Sequence, residues 1–399
     1  MKVEQAAPLP QLSVGSPTSA ASVAATATRY GFVDLLRGWA LVVMIETHIV
    51  NAYLRPELRH EPFFFWLTFV NGLVAPSFLF ASGFSAFLQA SRNWQDSLRL
   101  GPAFWVRMRR LGFILLVAYY THLRGFKFSK YLENEPGIWM ETFQVDILQC
   151  IVASLLALHV LILLMRTPER FALGAGLLTA AVMLATPWVW ARDVAGRIPV
   201  ALALWVSPHG VSYFPLFPWF SFVAAGAAGA HLFRRAVQER RELDVVRRAA
   251  WLGAAMVVVG LLGRVVPVSL PGYRSFYTTS PLYVLIRLGC VLLIVVVLYL
   301  LERFAHFAPP RVRAAGQESL LVYGLHLWLI FAVLRGKHVG PILGLETGYL
   351  GCMAASIAVI AVMIELARQW RLLKQKHPAG VRRGQAIVVA GMIVVFLLR

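Results

Sequence analysis

The chain has 399 residues, of which 59% are hydrophobic and only 14% charged, with a mean hydropathy of +0.67. Soluble domains carry nearly twice that share of charge, so a water-soluble multidomain protein is excluded in favour of a membrane one. The formal net charge of +19 does not point to nucleic acid, because the Lys and Arg residues sit in short loops between apolar runs, where they orient a membrane protein.

Residues 1–28 are rich in Ala, Ser, Thr and Pro and read as a disordered cytoplasmic tail, without the basic start and apolar stretch of a secretory signal. Residues 29–399 read as one transmembrane domain of all-α class, a polytopic helical bundle of about ten or eleven spans. The predicted spans are Phe32–Leu54, Phe63–Ala90, Phe104–Leu123, Phe143–Met165, Phe171–Ala191 and Phe214–Phe233, then Ala249–Pro267, Pro281–Leu301, Ser319–Leu334, Gly348–Ala367 and Ile387–Leu398. The last is short enough to be an interfacial helix instead. Lys and Arg favour alternate loops by about two to one, which places the N-terminus in the cytoplasm and suits a bacterial inner membrane. Cys150, Cys290 and Cys352 fall within apolar runs, and no His or Cys pair has metal-ligand spacing, so neither a disulfide framework nor a metal site is expected.

Charges inside a bilayer are expensive, about 2.5–3.5 kcal/mol each on insertion scales, and mark functional candidates. The first span carries four polar candidates: Asp34, Arg37, Glu46 and His48. Arg37 and His48 are eleven positions apart, which at about 100° per residue returns to the same face, about 16 Å further along the helix. Asp34 lies one turn before Arg37 and can pair with it, whereas Glu46 points the opposite way. A cation and an imidazole on one face suit an anionic cofactor at one end and base chemistry at the other. Two blander readings stay open: Asp34 and Arg37 reaching to the interface, and a structural hydrogen bond for His48. Arg287 also falls inside a span.

Further on, Ser319, Tyr323 and His326 follow an i, i+4, i+7 pattern and share a face, either as contacts for a substrate or as polar glue between helices. Tyr213, Pro215, Pro218 and Trp219 suggest a broken start to the sixth span, with Trp219 as a substrate contact or an interfacial anchor. His209 precedes it, and Asp146 and Gln149 are pocket residues whose depth the sequence leaves open. Arginines in the basic loops orient the chain and could also attract phosphates.

The segment FVDLLRGWALVVMIETHIVNAYL followed by GLVAPSFLFASGFSAFLQ resembles the opening of the heparan-α-glucosaminide N-acetyltransferase family and its bacterial relatives. VDILQCIVASLLA, YFPLFPWFSFVAAG and GQESLLVYGLHLWLI extend the resemblance in the same order. It implies acetyl transfer from cytosolic acetyl-CoA, as co-substrate, to a sugar amine or hydroxyl across the membrane. Asp34 and Arg37 would then face the acyl-CoA. The Arg-x10-His spacing is also similar to the wider sugar acyltransferases, which implies that His48 is catalytic. In the heparan enzyme the matching position resembles an Asn and the catalytic histidine follows in the outer loop, which here corresponds to His60 in ELRHEPFFF. Ser319, Tyr323, His326 and Trp219 would contact the carbohydrate acceptor. The rival reading is a carrier or flippase for a small anion or lipid-linked sugar, because buried charges and proline-broken helices also suit transporters.

Overall fold

The computed structural model describes residues 30–123, 128–134, 137–192, 196–208, 211–265, 276, 280–306, 309–334 and 346–398. The N-terminal tail and His209 lie outside the described residues. Residues from Gly31 onward form one helical unit.

Proline and short polar caps start many of the helices. Pro62, Pro102, Pro168, Pro281 and Pro310 open helices in the first turn, where a missing N–H costs nothing. Asp146, Thr167 and Ser280 each accept a hydrogen bond from a backbone N–H of the helix they precede. The resulting order begins with α1 (Gly31–Tyr53), a 3-10 turn (Pro56–His60), α2 (Pro62–Asn71), α3 (Val74–Arg92) and the short α4 (Trp94–Ser97). It continues with α5 (Pro102–Tyr120), two short helices, α6 (Ser129–Leu132) and α7 (Ile138–Phe143), then α8 (Ile147–Met165), α9 (Pro168–Ala191) and α10 (Val200–Val206). The rest are α11 (Leu216–Gln238), α12 (Glu242–Gly263), α13 (Pro281–Phe304), α14 (Pro310–Gln317), α15 (Ser319–Leu327), α16 (Tyr349–Lys376) and α17 (Pro378–Leu398).

Among the described residues, eight helices are long and apolar enough to cross a membrane, with α2 and α3 counted together. This agrees with a polytopic membrane bundle. Three of the eleven expected spans are not among the eight: α1, diluted by its polar residues, α5, diluted by Arg107, Arg109 and Arg110, and the Ser319 segment, apolar over a shorter length. The expected second span is interrupted at Gly72 and Leu73. The ninth changes to π-helical winding at Trp328–Leu334. The final helix is longer than expected, because it runs on from Pro378 directly after α16.

Two glycine-lined crossings set the centre. A Cβ at Gly83 of α3 would collide with the Val223 carbonyl of α11, and one at Gly226 would collide with the Phe80 carbonyl. Backbones therefore touch, as small residues allow in membrane bundles. Similarly, a Cβ at Gly316 would run into the Asp34 carbonyl, which locks α14 against the start of α1. An aromatic cluster fills the adjoining core: Phe32 meets Phe84, Phe233 and Tyr299 edge-on at 5.7, 5.1 and 5.7 Å between centroids. Placing α1 inside this ring of helices explains how it tolerates so much polarity. By contrast α12 and α17 turn Trp251, Leu252, Ile387 and Val388 outward, as lipid-facing helices do.

Candidate active site

A cavity of about 1730 Å³ runs beside α1 and is walled by α3, α5, α8, α15, α16 and α17. It exceeds the roughly 300–1,000 Å³ of pockets for drug-sized ligands. Both Arg37 and His48 line it, so the same-face spacing read from the sequence corresponds to one continuous space.

At the Arg37 end, side chains are held by three neighbouring helices. Arg37 donates from Nη2 to Ser85 Oγ at 2.8 Å and to the Ala81 carbonyl at 3.4 Å, both on α3. Its Nη1 is 3.7 Å from Asp34 Oδ1, and Asp34 Oδ2 accepts from Gln317 Nε2 at 3.0 Å. Asp34 is only 3% exposed, so it orients Arg37 from behind rather than facing the cavity. Lys374 pairs with Glu318 at 2.6 Å, and both border the space beside Ser319. Arg107 and Arg110 of α5 face the same cavity. Arg107 donates to Ser97 Oγ at 3.2 Å, yet its Nε and Nη2 are buried without a hydrogen-bond partner. A cluster of guanidinium and ammonium groups, with two unused donors on Arg107, is suited to phosphate oxygens.

The other end is built around His48. Its ring lies 5.2 Å from that of His326 and 5.9 Å from that of Phe331. His326 is completely buried, does not border the cavity, and donates from Nδ1 to the Val322 carbonyl at 2.8 Å. That bond leaves Nε2 as a lone pair, buried without a hydrogen-bond partner. Tyr323 does line the cavity, and its hydroxyl donates to Asp146 Oδ2 at 3.1 Å. Asp146 caps α8 through Oδ1, which accepts from the Ile147 N–H at 2.7 Å. Its Oδ2 also lies 3.8 Å from His122 Nε2, and His122 in turn meets Gln144 at 2.8 Å. Asp146 stands at the His48 end of the cavity, joined through Tyr323 to His326 and the His48 ring, and the antiparallel α5 brings His122 beside it. Gln149, the other pocket candidate, is fully buried and does not line the cavity.

Trp219 lines the cavity at the start of α11, together with Tyr213 and Phe214. His60 is placed differently. It is exposed on the 3-10 turn and is not among the residues that line the cavity. Arg59 ties that turn to α1 by hydrogen bonds to the Asn51 and Leu54 carbonyls, and Tyr349 Oη donates to the Leu58 carbonyl at 2.8 Å. Thus the structure gathers Arg37, His48, Ser319, Tyr323 and Trp219 around one space, sets Asp34 and His326 behind it, and leaves His60 apart. Sequence reading missed His122, Gln317 and Lys374, and took Arg107 only as one of the basic-loop arginines able to attract phosphates, although with Arg109 and Arg110 it lies in the apolar run of α5.

The family model for heparan-alpha-glucosaminide N-acetyltransferase, catalytic, matches residues 29–265. The chain belongs to that family. The family is one of acetyltransferases and implies an acetyl-CoA donor, in keeping with the multi-span membrane bundle. The matched segment contains Arg37, His48, Asp146 and Trp219, whereas Arg287, Tyr323 and His326 lie beyond it. No curated protein matches the chain.

Proposed function

We propose that this protein moves an acetyl or short acyl group from cytosolic acyl-CoA, admitted at the Arg37 end, to an amine or hydroxyl of a sugar bound at the His48 end, on the opposite side of the membrane. The observation that carries this reading is the single cavity bordered by both Arg37 and His48. The surplus of basic residues in alternate loops supports a cytoplasmic N-terminus, which puts the Arg37 end inside. A bacterial inner membrane fits the compact loops.

In this reading, Arg37, Arg107, Arg110 and Lys374 attract the phosphates of the donor, and Asp34 holds Arg37 in place. The pantetheine arm then extends along the apolar middle of the cavity, past Met44 and Phe78, and presents the thioester to His48. A thioester is already activated, so the protein has to position the acceptor and remove one proton. His48 accepts the proton as the acceptor nitrogen or oxygen forms its bond to the carbonyl carbon. The carbon–sulfur bond breaks, and the departing sulfur takes the proton and leaves as the CoA thiol. His326 supports this role. With Nδ1–H committed to Val322, its Nε2 is able to accept an N–H from His48, which leaves the other His48 nitrogen free to act as base. Tyr323 and Ser319 line the path of donor and acceptor.

Purified protein should release CoA thiol from acetyl-CoA only when an acceptor from a panel of amino sugars and cell-wall glycans is present. Arg37→Gln should raise the KM for acetyl-CoA by about tenfold, equivalent to about 1.4 kcal/mol, with little change in kcat, because phosphate binding is lost uniformly. No thiol release with any acceptor, together with no detectable acetyl-CoA binding, would refute the transferase reading.

A further inference from the structure

Arg287 is a cation within a membrane-spanning helix that the transfer chemistry above does not use. It lies about 9 Å into α13, counted from Pro281, and borders the cavity at the His48 end. Its guanidinium stands 4.3 Å over the Tyr283 ring and 5.8 Å from the Trp219 ring. Nη2 donates to Tyr283 Oη at 3.0 Å, while Nε is buried without a hydrogen-bond partner. A Cβ at Gly72 would come within 3.0 Å of Nη2, so the break between α2 and α3 makes room for this side chain. No described carboxylate lies within ion-pair distance of Arg287. Of the carboxyl groups near this part of the wall, Asp146 is engaged with Ile147, Tyr323 and His122, and Glu46 is hydrogen-bonded to Asn71.

A cation at membrane depth is retained when it pairs with an anion or faces a functional cavity. Arg287 does the second and, among the described residues, lacks the first. Beside it, Asn71 borders the same space with a buried Oδ1 that has no hydrogen-bond partner, while its side chain also meets the Glu46 carboxyl, and Trp219 offers an aromatic face. A guanidinium fork, an amide acceptor and an aromatic ring match an oxyanion, a sugar hydroxyl and the apolar face of a pyranose.

We propose that Arg287, Asn71 and Trp219 form an oxyanion subsite in the acceptor half of the cavity, which binds a phosphate, sulfate or carboxylate carried by the sugar. This rests on the transferase reading for calling the bound sugar an acceptor. A neutral sugar leaves the guanidinium without a counter-ion, so the subsite selects for charged acceptors. It acts on acceptor affinity and not on the chemical step.

Binding of glucosamine, glucosamine 6-phosphate and glucuronate to the full-length protein in detergent tests this by calorimetry, with short-chain phosphatidic acid as a competitor. Both anionic sugars should bind at least about tenfold more tightly than glucosamine. Arg287→Gln should erase the difference, Arg287→Lys should keep part of it, and both variants should still bind acetyl-CoA. Equal affinities in the unaltered protein, a preference that survives Arg287→Gln, or displacement of the sugar by phosphatidic acid would each overturn the subsite. CoA release measured in the same samples separates the two readings. Arg287-dependent binding with neither CoA release nor acetyl-CoA binding would remove the transferase and leave the subsite, whereas acceptor-dependent release with no charge preference would remove the subsite alone.

Discussion

His48→Ala lowers acetyl transfer by about 10²–10⁴-fold, the usual contribution of a positioned general base, while acetyl-CoA still binds. His48 is the imidazole that borders the cavity next to Tyr323 and against His326. His326→Ala should have a smaller effect, because it removes the ring packed against the base and not the base itself. It should also change the pH profile of kcat, which a purely structural defect would not do. His60→Ala should alter the rate by less than about threefold, as expected of an exposed side chain away from the cavity. Single-turnover transfer from acetyl-CoA, measured alongside donor binding, checks all three. A His60→Ala loss as large as that of His48→Ala would move the chemistry out of the cavity and onto the outer turn.

Gly226→Leu is the substitution expected to damage the fold most. Even a single Cβ there meets the Phe80 carbonyl, and backbone cannot move aside as a flexible side chain can. Overpacking of well-packed cores costs typically about 1–3 kcal/mol, and a backbone obstacle should bring the loss to the top of that range or beyond. The consequences should reach the site. Ala81 and Ser85, which hold Arg37, flank Gly83 on the opposing helix, so a displaced α3 should also weaken donor binding. Gly112→Ala on α5 is the control, since a Cβ there meets nothing within 4 Å. Thermal unfolding in detergent, followed by tryptophan fluorescence, should show a marked drop for Gly226→Leu and almost none for Gly112→Ala. A Gly226→Leu protein as stable as the parent would mean that α3 and α11 do not cross as described.

Much of this architecture was legible because membrane helices are written in long apolar runs, and because a helical face can be counted along a single sequence. The Arg37–His48 relation needed no tertiary information, and the same holds for Ser319 and Tyr323, which do share the cavity. What could not be read depended on neighbours remote in sequence. Asp146 is legible as a helix cap, but its place beside Tyr323 depends on how α15 packs against the start of α8. His326 satisfies the same periodicity as Tyr323, yet it falls behind the wall because α15 packs it against His48. The interruption at Gly72 and Leu73 falls at Asn71-Gly72, a turn-favouring pair that a hydropathy average over a whole span passes over. Arg287 stood out as a charge within a span, but that no described carboxylate pairs with it could be seen only in three dimensions.

The most direct test of the central claim uses proteoliposomes, with acetyl-CoA on the side of the Arg37 end and an amino-sugar acceptor on the other. The account predicts CoA release on the donor side and acetylated sugar on the acceptor side, in equal amounts, and both lost in His48→Ala. Counterflow of labelled sugar without thioester cleavage would contradict it and identify the cavity as a carrier route instead.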